Sequence, residues 1–158
     1  MIDLEEVKAR ADKYIEMAQH LFLKDKFLDP IMFSVIEGEE SVPIGLKLNT
    51  PEDMENVKQI IEEAASYSDA LILLMDFYLV ETSDKIKPED LPENLKDHPD
   101  ALSSLSCIIH SKKGSVIKQF FYAEAYGRIN FFEGKWEPAT FSDCHFQNPY
   151  LKNIQNKC

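Results

Sequence analysis

The longest apolar run in the chain is Ala70–Val80, and Asp76 is the one charged residue within it. The run is long enough for a buried strand, predicted over Asp69–Glu81, but shorter than the roughly 20 residues of a membrane-spanning helix. A carboxylate inside such a strand must leave the core, find a partner or stay protonated, because a lone buried charge is very costly. Asp76 is therefore the first candidate for a functional residue.

Helical spacing of apolar residues predicts two amphipathic helices. The first helix runs from Leu4 to Leu23 with Asp3 as its cap, and the second follows Thr50, a favoured N-cap, and ends near Tyr67. Pro51 suits the first position of the second helix. The apolar stripes consist of Leu4, Val7, Ala11, Tyr14, Ala18 and Leu21 in the first helix and Met54, Val57, Ile61 and Ala64 in the second.

Alternating patterns separated by turn residues predict hairpins. The pairs are Ile31–Glu37 with Val42–Leu48, Ala101–Ser111 with Ser115–Tyr126, and Arg128–Phe132 with Lys135–Thr140. The order α-β-β-α-β-β-β predicts a single α+β domain over residues 1–140, with a mixed or mainly antiparallel sheet of about five to seven strands and both helices on one face. We expect residues 141–158 to form a polar tail, packed on the domain or partly loose.

The charge of the chain limits the partners it can have. It carries 17 basic and 28 acidic residues, a net charge of −11, and its lysines are scattered. Because binding to phosphates needs a basic face, we expect neither nucleic acid nor an anionic membrane as a partner. A protein partner with a basic surface fits this charge, although an acidic surface also serves solubility alone.

The cysteines indicate the cellular compartment. There are three of them, Cys107, Cys144 and Cys158, at unrelated spacings, so they form no disulfide framework. The N-terminal segment lacks the basic and apolar regions of a signal peptide. We therefore expect a cytoplasmic protein.

The common catalytic and cofactor motifs are absent. The five glycines do not form a phosphate-binding loop, and there is no nucleophile elbow or paired-histidine zinc motif. Cys107 and His110 are three residues apart in a predicted strand, so they face opposite sides and cannot share a metal. The adjacent residues Asp143, Cys144 and His145 rarely converge on one ion. We expect no cofactor and no metal, and we expect Cys107 to be a buried, inert thiol.

One acid–base cluster is consistent with the sequence. If the strands around Asp76 and Cys107 are neighbours, the loop before the second strand brings His98 and Asp100 near the end of the first. A histidine beside carboxylates is the usual unit of proton transfer. The structural alternative is that Asp97–Asp100 forms a turn and that Asp76 faces solvent.

Three short segments resemble a group of small uncharacterised prokaryotic α+β proteins. That group combines an N-terminal helix and a Gly-Tyr-Leu-x-Pro lead into a strand with a later acidic strand, a His-Pro-Asp loop and a return strand. The corresponding segments here are Lys26–Ile31, which lacks the glycine, Leu74–Tyr78 and Asp97–Ala101. The group has no assigned activity, so the resemblance implies an α+β layout and no mechanism.

Two functional hypotheses follow from these patterns. The first is a cytoplasmic, non-enzymatic interaction or accessory protein. Self-association as a homodimer is part of it, because the strand Ser115–Tyr126 is apolar on both sides. The alternative is a small enzyme or ligand binder that uses Asp76, His98 and Asp100. The position of these three side chains in space discriminates between the two hypotheses.

Overall fold

In the part of the chain that the structure describes, two helices and seven strands follow one another in nearly the order that the sequence predicts. The computed structural model describes residues 2–79, 102–139 and 146–151. The elements are α1 (Leu4–Asp25), β1 (Ile31–Val35), β2 (Val42–Gly45), α2 (Pro51–Tyr67), β3 (Ala70–Leu79), β4 (Leu102–Ser111), β5 (Gly114–Ala125), β6 (Arg128–Phe131) and β7 (Glu137–Pro138).

Side-chain caps determine where both helices begin. The Asp3 carboxylate accepts from the Glu5 N–H, and at α2 Thr50 and Asp53 form a reciprocal capping box. The α1 helix ends at Lys26, which is left-handed with φ 66° and donates its N–H to the Phe22 carbonyl over 2.8 Å. This conformation costs a lysine more than a glycine, and it turns the chain sharply at the end of α1.

All pairings in the sheet are antiparallel, and the strand order is β2-β1-β3-β4-β5-β6, with β7 also pairing to β5. The α+β class and the antiparallel sheet are therefore confirmed. The helix α2 connects β2 to β3, and β1 lies between those two strands. As a result β3 is central and has hydrogen-bonded neighbours on both sides.

The two helices lie on opposite faces of the sheet, so the prediction that both share one face is wrong. Ile72 and Leu74 pack with the buried stripe of α1, whereas Leu71 and Leu73 pack with the stripe of α2. The physical reason is that β3 is apolar on both faces, and each face must be covered. We call these the α1 face and the α2 face.

The prediction of a third hairpin is also wrong, since β6 and β7 each pair with β5 rather than with each other. The turn that sends β6 back along β5 is Tyr126-Gly127, where both residues have positive φ, as a tight hairpin turn requires. Gly134 then passes so close to β5 that a Cβ would collide with the Gln119 carbonyl oxygen. Gly134 lies between the two strands of the predicted hairpin, and its role is close packing against β5 rather than a turn.

The segment 146–151 packs against the α2 face. Phe146 is buried in the cluster around α2, and Asn148 is buried as well. The Tyr150 hydroxyl donates to the Ser68 carbonyl over 3.0 Å. Part of the predicted C-terminal tail thus lies on the domain.

Candidate functional site

The structure places Asp76 on the α1 face, beyond the end of the buried part of β3. The Asp76 carboxylate is half-buried and accepts a hydrogen bond of 2.8 Å from the Tyr122 hydroxyl of β5. The Tyr122 ring packs against Phe22 of α1 and Phe131 of β6, with ring centroids 4.8 and 5.7 Å away. A half-buried carboxylate is poorly hydrated, which favours its protonated form.

The pKa of Asp76 reflects this environment. Burial raises the pKa of the carboxyl above its usual value, and the hydrogen bond from Tyr122 opposes part of the rise because it stabilises the anion. Such a group can exchange a proton nearer neutral pH than an ordinary aspartate. His98 and Asp100, its predicted partners, lie outside the described residues, so the described part of the proposed cluster is Asp76 with Tyr122.

A buried polar network on the α2 face was missed by sequence reasoning. The Nδ1 atom of His110 is 2.7 Å from the Ser115 Oγ, and the Asn148 Nδ2 donates to the same Oγ over 3.0 Å and to the Ser111 carbonyl over 2.9 Å. Burial lowers the pKa of His110 to about 4 and keeps the ring neutral at pH 7, so the tautomer of the ring decides whether Nδ1 donates to Ser115 or accepts from it. The sequence contained one signal of this pair, because the two-residue turn after Ser111 places His110 opposite Ser115.

This serine–histidine pair has the spacing of a nucleophile and its base, but its surroundings argue for a structural role. His110 is only 1% exposed and Ser115 is 7% exposed. A substrate could not reach the Ser115 Oγ, which also accepts from Asn148. The network instead attaches the segment 146–151 to the β4–β5 hairpin.

Cys107 lies in the core on the α1 face, as the sequence predicts. The thiol is fully buried, and burial together with nearby Asp12 raises its pKa far above the usual range. Asp12 forms an ion pair of 3.0 Å with Lys118. Among residues 2–79, 102–139 and 146–151, no group of three or more histidine, cysteine or carboxylate side chains could hold a metal ion. Cys144 and His145 lie outside those ranges.

A groove lies between the last turns of α1 and the chain that follows it. Met17 and Leu21 of α1 form one side, and Phe27 and Leu28 belong to the other, around a volume of about 230 Å³. Leu21 is 43% exposed and Phe27 is 57% exposed. The sequence placed Leu21 in the buried stripe of α1, and this is a correction: Ile15 and Phe22 are buried there, and Leu21 faces the groove. We call this feature the α1 groove.

The comparisons with known proteins add no relative. No protein family, no curated protein and no solved structure matches this chain. None of the described helices is long and apolar enough to cross a membrane. A function must therefore be inferred from the chain's own residues.

We predict that Tyr122→Phe raises the pKa of Asp76 further, because the hydrogen bond that stabilises the anion is lost. A carboxyl ¹³C NMR titration of wild type and variant measures this shift, and the wild-type midpoint should already lie above 3.8. The folded state then holds this proton more tightly than the unfolded chain, so stability falls as the pH rises from 3.8 towards the folded-state pKa. Loss of the bond should cost about 1 kcal/mol of stability near pH 7.

His98→Ala serves as the control in the same titration. If Asp76 has only its structural partner Tyr122, the Asp76 midpoint stays unchanged in His98→Ala. A midpoint that moves upward in His98→Ala would show that His98 approaches the carboxylate, whereas an unchanged midpoint in Tyr122→Phe would contradict the hydrogen bond described above.

We predict a second pH effect at His110. The unfolded chain binds a proton at this residue near pH 6.5, whereas the folded state binds it only near pH 4. Folding stability should therefore fall as the pH drops from 6.5 towards 4, by roughly 1–3 kcal/mol. Urea unfolding between pH 4.5 and 7 should show a shallower pH dependence for His110→Gln than for wild type. The exposed His20 provides the matched control His20→Gln, which should keep the wild-type slope, and equal slopes in all three proteins would refute the assignment.

Proposed function

We propose that this chain is a cytoplasmic, non-enzymatic interaction protein that binds apolar side chains of a partner protein in the α1 groove. The observation that supports this most directly is that Met17, Leu21 and Phe27 surround one groove while the core beneath α1 is filled by other residues. Exposed apolar groups that converge on a concavity are typical of interaction sites.

The size of the groove favours side chains over a cofactor. Its volume of about 230 Å³ is below the roughly 300–1,000 Å³ of sites that enclose small molecules. Met17 at its wall has an unbranched, adaptable side chain, which is common at surfaces that accept varied partners. The groove therefore suits one or two apolar anchors of another protein.

Self-association stays a prediction of the sequence, but β5 gives it less support than the pattern suggested. Ile117 is buried on the α2 face, and Val116 and Phe120 pack against the core of the α1 face. These three apolar residues of β5 are thus wholly or partly covered within one chain. Sedimentation velocity of the purified protein measures whether a homodimer forms.

An acid–base role for Asp76 is the second candidate, because burial raises the pKa of its carboxyl, which also accepts a hydrogen bond from the Tyr122 hydroxyl. That role requires His98 and Asp100 to converge on Asp76. The titration of Asp76 in His98→Ala protein discriminates between the two candidates.

Two leucines on α1 that are equally exposed allow binding in the groove to be tested. Leu21 and Leu23 are both 43% exposed, but only Leu21 lines the groove. A neutral capped peptide, Gly-Ser-Leu-Gln-Leu-Ser-Gly, should bind wild type with a dissociation constant of order 1 mM. Leu21→Ser should abolish binding, because an apolar contact is lost, and Leu23→Ser should leave it unchanged.

The methyl resonance of Met17 in a ¹H–¹³C NMR titration reports binding in the groove. The methyl of Met32, which is buried in the core of the α2 face, is the internal control and should not shift. Absence of any Met17 shift with wild type, or equal shifts in both leucine variants, would refute the groove as the site.

A further inference from the structure

We propose that the partner presents a cationic amphipathic segment, whose apolar side chains enter the α1 groove while its Lys or Arg side chains pair with Asp25 and Asp29. This inference rests on the proposed function and specifies the chemistry of the partner.

The charges along α1 differ between its two ends. In the first half, Glu5 pairs with Lys8, Glu6 with Arg10, and Asp12 with Lys118 of β5. The carboxylates of Asp25 and Asp29, which line the groove, have no hydrogen bond or ion pair with any described residue. Among the described residues that line the groove, these two alone are charged. The groove thus offers two unpaired carboxylates beside apolar walls.

The position of Asp25 is unfavourable for the isolated helix. It is the last residue of α1, where the helix dipole is negative and repels a carboxylate. Lys24 and Lys26 are its neighbours in sequence, but neither lines the groove. A cation supplied by a partner would remove this repulsion. Residues that break a local rule of this kind are concentrated at functional sites.

The neighbouring sheet edge indicates how the partner binds. The Leu46 N–H donates to the Pro30 carbonyl over 2.9 Å. Hydrogen-bonded and non-bonded pairs alternate along antiparallel strands, so the backbone of Ile44 bonds to β1 and the backbone of Pro43 faces the open edge of the sheet. Proline has no N–H, so this edge lacks a donor that an added strand would need. The partner therefore binds through its side chains and not by extending the sheet.

The charge of the chain also disfavours a second copy as the occupant. Two copies joined through this groove would bring two pairs of carboxylates together, and each copy has a net charge of −11. A basic segment is attracted by the same field, which accelerates association at low salt.

The test compares three capped peptides of one length on the intact chain: neutral Gly-Ser-Leu-Gln-Leu-Ser-Gly, and versions with both serines replaced by lysine or by glutamate. The Met17 methyl shift at low salt gives each dissociation constant. We expect the lysine peptide to bind about three- to tenfold more tightly than the neutral peptide, and the glutamate peptide to bind more weakly. Salt should remove these differences.

The double variant Asp25→Asn/Asp29→Asn should lose most of the lysine preference and keep only the weak part that the acidic chain as a whole produces, while its melting temperature stays at or above that of wild type. Equal binding of lysine and neutral peptides by wild type, or a lysine preference as large in the double variant as in wild type, overturns the inference but leaves the groove proposal intact. Failure of the neutral peptide to bind contradicts the proposed function itself. A dimer that dissociates in Leu21→Ser would overturn the inference by assigning the groove to a second copy.

Discussion

The burial of β3 on both faces is the constraint on which the rest of the structure depends. Its backbone bonds to β1 on one side and β4 on the other, and its side chains alternate between two apolar cores. Each large apolar side chain that is fully buried there contributes roughly 1.5–3 kcal/mol. Neither face can be left open, so α1 and α2 must lie on opposite sides.

This arrangement determines which part of α1 remains available. The helix contacts the sheet along one stripe that ends at Phe22, which packs against Tyr122 and Phe131. Leu21 precedes Phe22 by one residue and therefore points about 100° away around the helix, towards β1 and β2 rather than into the core. The left-handed Lys26 turns the chain at this end of the helix, so that the segment after it closes the groove.

The sequence predicted the elements well, because caps and periodicity are local signals: Thr50 marks the start of α2 and the apolar run marks β3. The apolar residues on both sides of β3 were the signal that the helices lie on opposite faces, but the predominance of hairpins favoured a sheet covered by helices on one face only. Leu21 was assigned to the core because it fits a helical stripe as well as Phe22 does, and their difference depends on contacts with distant strands. The His110 network was missed because Asn148 is far away in sequence.

The central claim is that α1 turns Phe22 into the core and Leu21 outward, which leaves the groove free for a partner. The free energy of unfolding of Phe22→Ala and Leu21→Ala, measured by urea denaturation, tests it most directly. Phe22→Ala should lose about 3–5 kcal/mol, because a buried aromatic side chain is removed, and Leu21→Ala should lose less than about 1 kcal/mol. Equal losses, or a larger loss for Leu21→Ala, would contradict the claim.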